Sequence, residues 1–211
     1  MALILPDSAA ETLSDGRRMD PSAARNAEPI LEALTQLDLK GRLLELAAGS
    51  GFHAAEMAET LGVDWHPTDV EPINFPSIRA WTEFSGGPIR APQLLDATAS
   101  GWAADRGQWD AILLVNLLHL ITEEEAETLF LEVSAALAPN GTFCLYGPFL
   151  RDGEPTSPGD RDFDASIRAQ DPTVGYKDLD WATEQLEDCG LEVQVVEMPA
   201  NNLMLLAKRP D

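Results

Sequence analysis

Cations are scarce in this chain. Of 211 residues only 14 are lysine or arginine, against 36 aspartates and glutamates, for a formal net charge of −22. A surface of that sign repels polyanions at any range that salt does not screen, which disfavours a nucleic-acid substrate. Only three of the cations are lysines. That balance suits a salt-tolerant, heavily hydrated surface and equally a compositional bias of lineage. Cysteine is rarer still: Cys144 and Cys189 are the only two, and they lie in apparently regular segments without metal-ligand spacing. Disulfide and zinc readings are therefore poorly supported, and buried free thiols are expected. No run of about eighteen apolar residues exists, so no membrane span is expected. The opening Met-Ala-Leu-Ile-Leu-Pro-Asp has neither a basic leader nor enough apolar length for a signal peptide, and the reading is a cytoplasmic protein. Internal repeats and low-complexity tracts are also missing.

What is present suits one folded unit. The hydrophobic share is 45%, enough to bury a core in a single domain over residues 1–211, with residues 1–20 as an N-terminal extension loosely held at its start. The segments alternate in type, the pattern of an α/β fold. Ile30, Leu31, Leu34 and Leu37 share one face of an expected helix over 21–37, capped by Asp20 or Ser22. A strand over 42–47, a helix over 51–61 and a strand over 63–68 follow. The proline-rich stretch 71–92 carries at most a short helix at 78–84, and 93–96 reads as a third strand. The apolar run 109–116 is of the kind covered on both faces, so it belongs at the sheet's centre. Thr122 and Glu125 form a capping box for a helix to about 137. Pro139-Asn140-Gly141 then turns the chain into a strand over 142–146. After a loop at 147–160, helices are expected at 162–170 and 178–189, the latter stopped by Gly190. Runs 191–197 and 203–207 are joined too tightly for a crossover helix and must pair antiparallel.

The chemistry-bearing pattern is local. Residues 43–53 read Leu-Leu-Glu-Leu-Ala-Ala-Gly-Ser-Gly-Phe-His: an apolar strand, a Gly-x-Gly turn and a helix. Glycines at 49 and 51 open backbone conformations closed to residues with a Cβ and let a ligand touch the main chain. Asp69, about twenty residues on, ends the next strand, where a carboxylate can accept two hydrogen bonds from a ribose diol. Gly49-Ser50-Gly51-Phe52-His53-Ala54 also satisfies the dinucleotide pattern, so a nicotinamide or flavin site is a rival, as is mere tight packing. Glu45 inside the first strand and the closing antiparallel hairpin argue against a dinucleotide. Asp96 ends the third strand, in the place of a ligand contact or of a helix cap. His53 sits in the first turn of a helix, whose dipole opposes its protonation. Asn116 closes the central strand with His119 behind it, and Tyr146 ends the next. They face the same cleft or simply complete the core. Arg25, Asn26, Asn201 and Asn202 are polar groups with ordinary roles open to them in helix and turn.

Taken together these residues resemble the class I S-adenosylmethionine-dependent methyltransferases. Glu45 through Gly51, with Ala47 among them, matches their glycine-rich first motif, Asp69 their ribose-binding acid with Val70 after it, Asp96-Ala97 their adenine-contacting position, and Asn116 the first residue of their fourth motif. More narrowly the chain is similar to the methyltransferase-like 26 family, a domain of unknown function. The shared phrases are Ser-Ala-Ala-Arg-Asn-Ala-Glu-Pro-Ile (22–30), Gly-Phe-His-Ala-Ala (51–55), Asn-Leu-Leu-His (116–119), Leu-Tyr-Gly-Pro-Phe (145–149), Phe-Asp-Ala-Ser-Ile-Arg (163–168) and Met-Pro-Ala-Asn-Asn-Leu (198–203). The resemblance implies a three-layer Rossmann-like fold whose seven strands run in the order 3-2-1-4-5-7-6, strand 7 antiparallel. It further implies S-adenosyl-L-methionine held by Glu45, Ala47, Gly49, Gly51, His53, Asp69, Val70, Asp96, Ala97 and Asn116. Asn116, His119 and Tyr146 then stand as candidate catalytic groups, with His119 or Tyr146 the base, and Arg25, Asn26, Asn201 and Asn202 lie toward a small-molecule or protein acceptor. No metal is required, and a monomer or homodimer is expected. A cofactor-binding module without catalysis and an NAD-dependent oxidoreductase are the alternatives.

Overall fold

The computed structural model describes residues 10–211; the leader reading of residues 1–7 and the start of the extension fall outside them. Seven strands form one sheet: β1 (Arg42–Leu46), β2 (Asp64–Asp69), β3 (Gln93–Leu94), β4 (Trp109–Val115), β5 (Leu137–Pro148), β6 (Glu192–Glu197) and β7 (Asn202–Lys208). Their order is β3-β2-β1-β4-β5-β7-β6. The first five are parallel, and β7 runs antiparallel to both β5 and β6. This is the Rossmann-like arrangement, with β4 at its centre.

Side-chain alternation along the strands builds two cores. Leu44, Leu46, Ile112, Leu114, Phe143 and Leu145 face α5 (Glu123–Ala136) and α7 (Leu179–Asp188). Leu43, Ala111, Leu113, Cys144 and Tyr146 face the opposite layer, made by α1 (Pro21–Thr35), α2 (Phe52–Leu61) and α3 (Phe75–Ser85). A sheet covered on both sides needs apolar residues at every central position, which is why 109–115 reads as an unbroken run. Capping sets the helix ends: Asp20 accepts from the Ser22 amide at 2.9 Å, and the Thr122–Glu125 box is complete, with both reciprocal bonds formed.

Several elements differ from expectation. Residues Glu11–Thr12 and Arg18–Met19 pair as a small hairpin. It is pinned to α3 by the Trp81 indole donating to the Arg18 carbonyl at 3.0 Å and by the Arg17 guanidinium 3.6 Å over the Phe84 ring. The third strand stops at Leu94, because Asp96 turns back to accept from the Thr98 amide and hydroxyl. A five-residue helix, α4 (Trp102–Arg106), follows. The Pro139-Asn140-Gly141 turn survives as an outward bulge inside β5, whose pairing jumps from Leu137 opposite Trp109 to Thr142 opposite Ala111. Helix α6 (Pro158–Arg168) begins earlier than expected, with Ser157 accepting from the Asp160 amide. Cys144 is buried and Cys189 only half-buried, both free. Among the described residues no helix is long and apolar enough to cross a membrane.

Candidate active site

Parallel strands deliver their carboxyl ends to one edge, and the strand order reverses between β1 and β4, so a crevice opens there. A cavity of about 660 Å³ occupies that position. One half is walled by Ala47, Gly49, Asp69, Val70 and Asn116, with Glu71 and Asn74 beside them.

The two glycines do different work. Gly51 starts α2 at φ +86°, and a Cβ there would stand 2.7 Å from the Ile78 Cα, so this glycine is needed for α3 to close on the turn. Ser77 of α3 completes that contact by donating to the Ser50 carbonyl at 2.7 Å. Gly49, at φ +56°, has nothing nearer than 4.0 Å where its Cβ would be. Open space lies beside its backbone. The Gly49 amide donates to Asp69 Oδ2 at 2.8 Å and the Glu71 amide to Oδ1 at 2.8 Å. Two amides thus fix the carboxylate's orientation, and each oxygen keeps a further lone pair. Ala47 and Asn116 also hold positive φ, +51° and +57°, at the ends of β1 and β4. Left-handed backbone in non-glycine residues costs on the order of 1 kcal/mol each and gathers at ligand sites.

His53 lies on the α1 side of the cavity, buried, with Nε2 2.7 Å from Asn26 Oδ1. An amide oxygen only accepts, so Nε2 carries the proton and Nδ1 the lone pair. Burial pulls this imidazole down to about 4. Asn26 does not line the cavity; it holds His53.

The other half of the cavity is lined by His119, Phe163 and Tyr176 together with Asp160, Arg25 and Ala200. The His119 ring stands 5.8 Å from each of the other two, edge to face, and those two are 6.1 Å apart. Burial also brings His119 down to about 4, with the Lys177 charge adding; its Nδ1 is buried with no hydrogen-bond partner. The segment carrying Tyr176 is clamped. The Gly175 amide donates to the His119 carbonyl at 3.0 Å, and Lys177 Nζ donates to the carbonyls of Ile121 and Gly175 at 2.6 and 3.0 Å. Asp164 accepts from the Tyr176 amide at 2.6 Å, while Arg168 donates to the Tyr176 carbonyl at 2.9 Å.

The structure leaves seven expected residues outside the cavity lining, Asn26 and Gly51, already described, among them. Glu45 points to the α1–α3 layer and accepts from the Trp65 indole at 2.8 Å, tying β1 to β2. Tyr146 alternates to that same layer and packs among core residues, its burial raising the phenol to about 12. Asp96 is spent on its own turn, and Ala97 packs in the opposite core. Asn201 lies at the rim, donating to Asp160 Oδ2 at 3.1 Å, while Asn202 does line the cavity. Sequence reasoning missed Asp160, Phe163 and Tyr176. Asp160, Phe163, Asp164 and Ile167 follow helical spacing, so one face of α6 signalled the first two; Tyr176 carried no local signal.

Glu45 carries a pH prediction. Burial pushes its carboxyl from 4.5 up to about 8, the indole hydrogen bond opposing and the Asp69 charge adding. An acid raised on folding contributes stability that is full below the unfolded value and is lost as pH rises through the folded one. Glu45→Gln should therefore remove a downward contribution to stability between about pH 5 and 8 in urea denaturation; below about 6.5 that contribution runs against the upward one of His53 and His119, so the decline and its loss are read most cleanly between about 6.5 and 8. An unaltered slope in that window would refute the assignment.

Strand order, glycine turn and an acid at the tip of β2 define the fold of class I S-adenosylmethionine-dependent methyltransferases. Solved structures share it. A putative O-methyltransferase from Nostoc punctiforme PCC 73102 superposes with a TM-score of 0.78 at 18% identity, over 97% of this chain and 64% of that one. An O-methyltransferase family protein from Burkholderia thailandensis gives 0.76 at 17%, over 90% and 58%. Human N-acetylserotonin methyltransferase in complex with S-adenosylmethionine gives 0.73 at 16%, over 90% and 53%. The chain thus spans less than two thirds of each. Residues 17–209 match the family described as "Protein of unknown function (DUF938)", and the chain belongs to that family.

Proposed function

We propose that this protein is an S-adenosyl-L-methionine-dependent methyltransferase acting as one domain, and that its kinship within the fold lies with the methyltransferase-like 26 family through the six phrases quoted above. The observation that carries the reading is Asp69, a buried carboxylate oriented by two amides at the switch point, beside the open backbone of Gly49. The cofactor supplies a methyl group on a sulfonium, a leaving group that needs no metal. Asp69 would bind the ribose diol, the 47–49 backbone would receive the chain of the methionine part, and Val70 would offer an apolar wall. Asn116, at positive φ off the tip of β4 and lining the cavity, would orient the reacting centres, where positioning supplies much of the rate. His119 is the remaining candidate for a proton-accepting group, because Tyr146 lies in the core. Acidity favours an acceptor other than nucleic acid.

Thermal shift with S-adenosylmethionine, S-adenosylhomocysteine and NAD tests the proposal. Stabilisation by the first two and none by NAD is expected. Stabilisation by NAD alone would replace it with the oxidoreductase reading, and binding without turnover on a mixture of small metabolites would leave a cofactor-binding module.

A further inference from the structure

The acceptor half of the cavity carries a charge pattern that selects among acceptors. Four carboxylates line the whole cavity, Asp20, Asp69, Glu71 and Asp160, against one guanidinium, Arg25, among the described residues. Lys177 is close by, yet its ammonium is buried and directed to two backbone carbonyls. Asp160 lines the cavity together with the rings of His119, Phe163 and Tyr176; its Oδ2 accepts from the Thr156 and Ser157 hydroxyls and the Asn201 side-chain amide, and its charge is felt at the Tyr176 hydroxyl, helping burial to raise it. Electron-rich ring faces beside a carboxylate attract a cation. An anionic acceptor would meet a lining in which carboxylates outnumber the one guanidinium among the described residues.

The direction of charge flow in the reaction gives the same result. When an amine nitrogen attacks the methyl carbon, its lone pair forms the N–C bond, and the C–S bonding pair returns to sulfur. The sulfonium becomes a neutral thioether, the nitrogen becomes an ammonium, and its extra proton, if it has one, leaves to solvent. Positive charge therefore grows on the nitrogen in the transition state, where rings and carboxylate stabilise it. A phenol or carboxylic acid attacks effectively only as an anion, and the one guanidinium among the described lining residues, Arg25, is outnumbered by carboxylates.

Resting on the methyltransferase reading, we propose that the acceptor is a small amine whose nitrogen is seated between the His119, Phe163 and Tyr176 rings and the Asp160 carboxylate. The ammonium form has no lone pair, so the bound amine first gives one proton to water, and the neutral nitrogen then attacks. The cavity must also house the cofactor, which restricts the acceptor to a small molecule.

Titration calorimetry of the whole chain saturated with S-adenosylhomocysteine tests this, with 2-phenylethylamine, 2-phenylethanol and 3-phenylpropanoate as matched probes. The amine should bind about tenfold tighter than the alcohol, and the carboxylate weakest. Asp160→Asn, which keeps a side chain able to hydrogen-bond at the start of α6, should remove most of the amine's advantage and leave the alcohol's affinity within about twofold. Because that variant bears on the α6 cap, salt provides a second measurement: raising it should weaken the amine alone. Carboxylate binding equal to or tighter than the amine's overturns the proposal, as does an advantage that persists both in the variant and at high salt. So does an amine that gives no detectable binding at up to ~10 mM. Failure of S-adenosylhomocysteine itself to bind would instead refute the cofactor reading.

Discussion

Asp69→Ala is expected to weaken S-adenosylmethionine binding at least about 100-fold. Hydrogen bonds to a charged group contribute about 1.5–3 kcal/mol each, and two to a ribose diol together exceed the 2.7 kcal/mol that corresponds to a hundredfold change. The truncation also frees the Gly49 and Glu71 amides that the carboxylate holds at 2.8 Å, so part of the loss comes from a loosened glycine turn. Asp69→Asn separates the two contributions. It keeps one acceptor oxygen but sets an amide N–H against one of those backbone donors, and an intermediate affinity with a nearly normal melting temperature should result. Titration calorimetry of both variants decides the matter, and alanine-variant binding within about threefold of wild type would remove Asp69 from the cofactor site.

The second large effect belongs to Gly51→Ala. The new methyl carbon would lie 2.7 Å from the Ile78 Cα, a backbone atom of α3 that cannot rotate away, and the residue would stay at φ +86°. Overpacking costs about 1–3 kcal/mol and the left-handed backbone a further 1–2 kcal/mol. Against a total stability of about 5–15 kcal/mol, that loosens or unfolds the protein. Gly49→Ala makes the useful contrast. Its methyl group meets open space, so the fold should lose only the conformational term of about 1–2 kcal/mol while cofactor affinity falls sharply, since that open space is where the ligand approaches. Urea denaturation of the pair, followed by cofactor titration, distinguishes them. Equal stability of Gly51→Ala and wild type would show that α3 does not need the glycine.

These two glycines illustrate what the residues alone disclosed. A Gly-x-Gly turn before a helix announces that backbone freedom is needed, whereas its reason, close packing at one glycine and ligand access at the other, depends on α3, whose approach no local pattern specifies. The strands were legible because each has its own periodicity, and the short link at 198–202 forces the last two to pair antiparallel, while their order in the sheet came from the family resemblance. Helix α4 was not: its first amides are capped from afar, with Glu132 accepting from Gly101 and Ala103 at 2.5 and 2.8 Å. The hairpin at Glu11–Met19 depends likewise on Trp81 and Phe84 of α3. In the site, strand-end residues such as Asp69 and Asn116 were readable because topology puts strand ends at the crevice. Tyr146 was misplaced by one step of alternation, which turns a side chain from the edge into the core. Glu45 was read as facing a ligand because a carboxylate in a buried strand demands a partner; that partner is the Trp65 indole.

The cavity takes walls from segments far apart in sequence, Asp20 and Arg25 ahead of β1, Ala200 in the link before β7 and Asn202 at the start of β7. During synthesis the glycine turn, β1 and β2 emerge before that link, and the pocket does not close until the β6–β7 hairpin has left the ribosome and docked beside β5. A nascent chain therefore has no complete compartment. A ligand of this cavity, the methyl donor on the proposed function, would in turn bind only the finished fold, and would raise the yield of folded protein by mass action rather than by guiding the folding route.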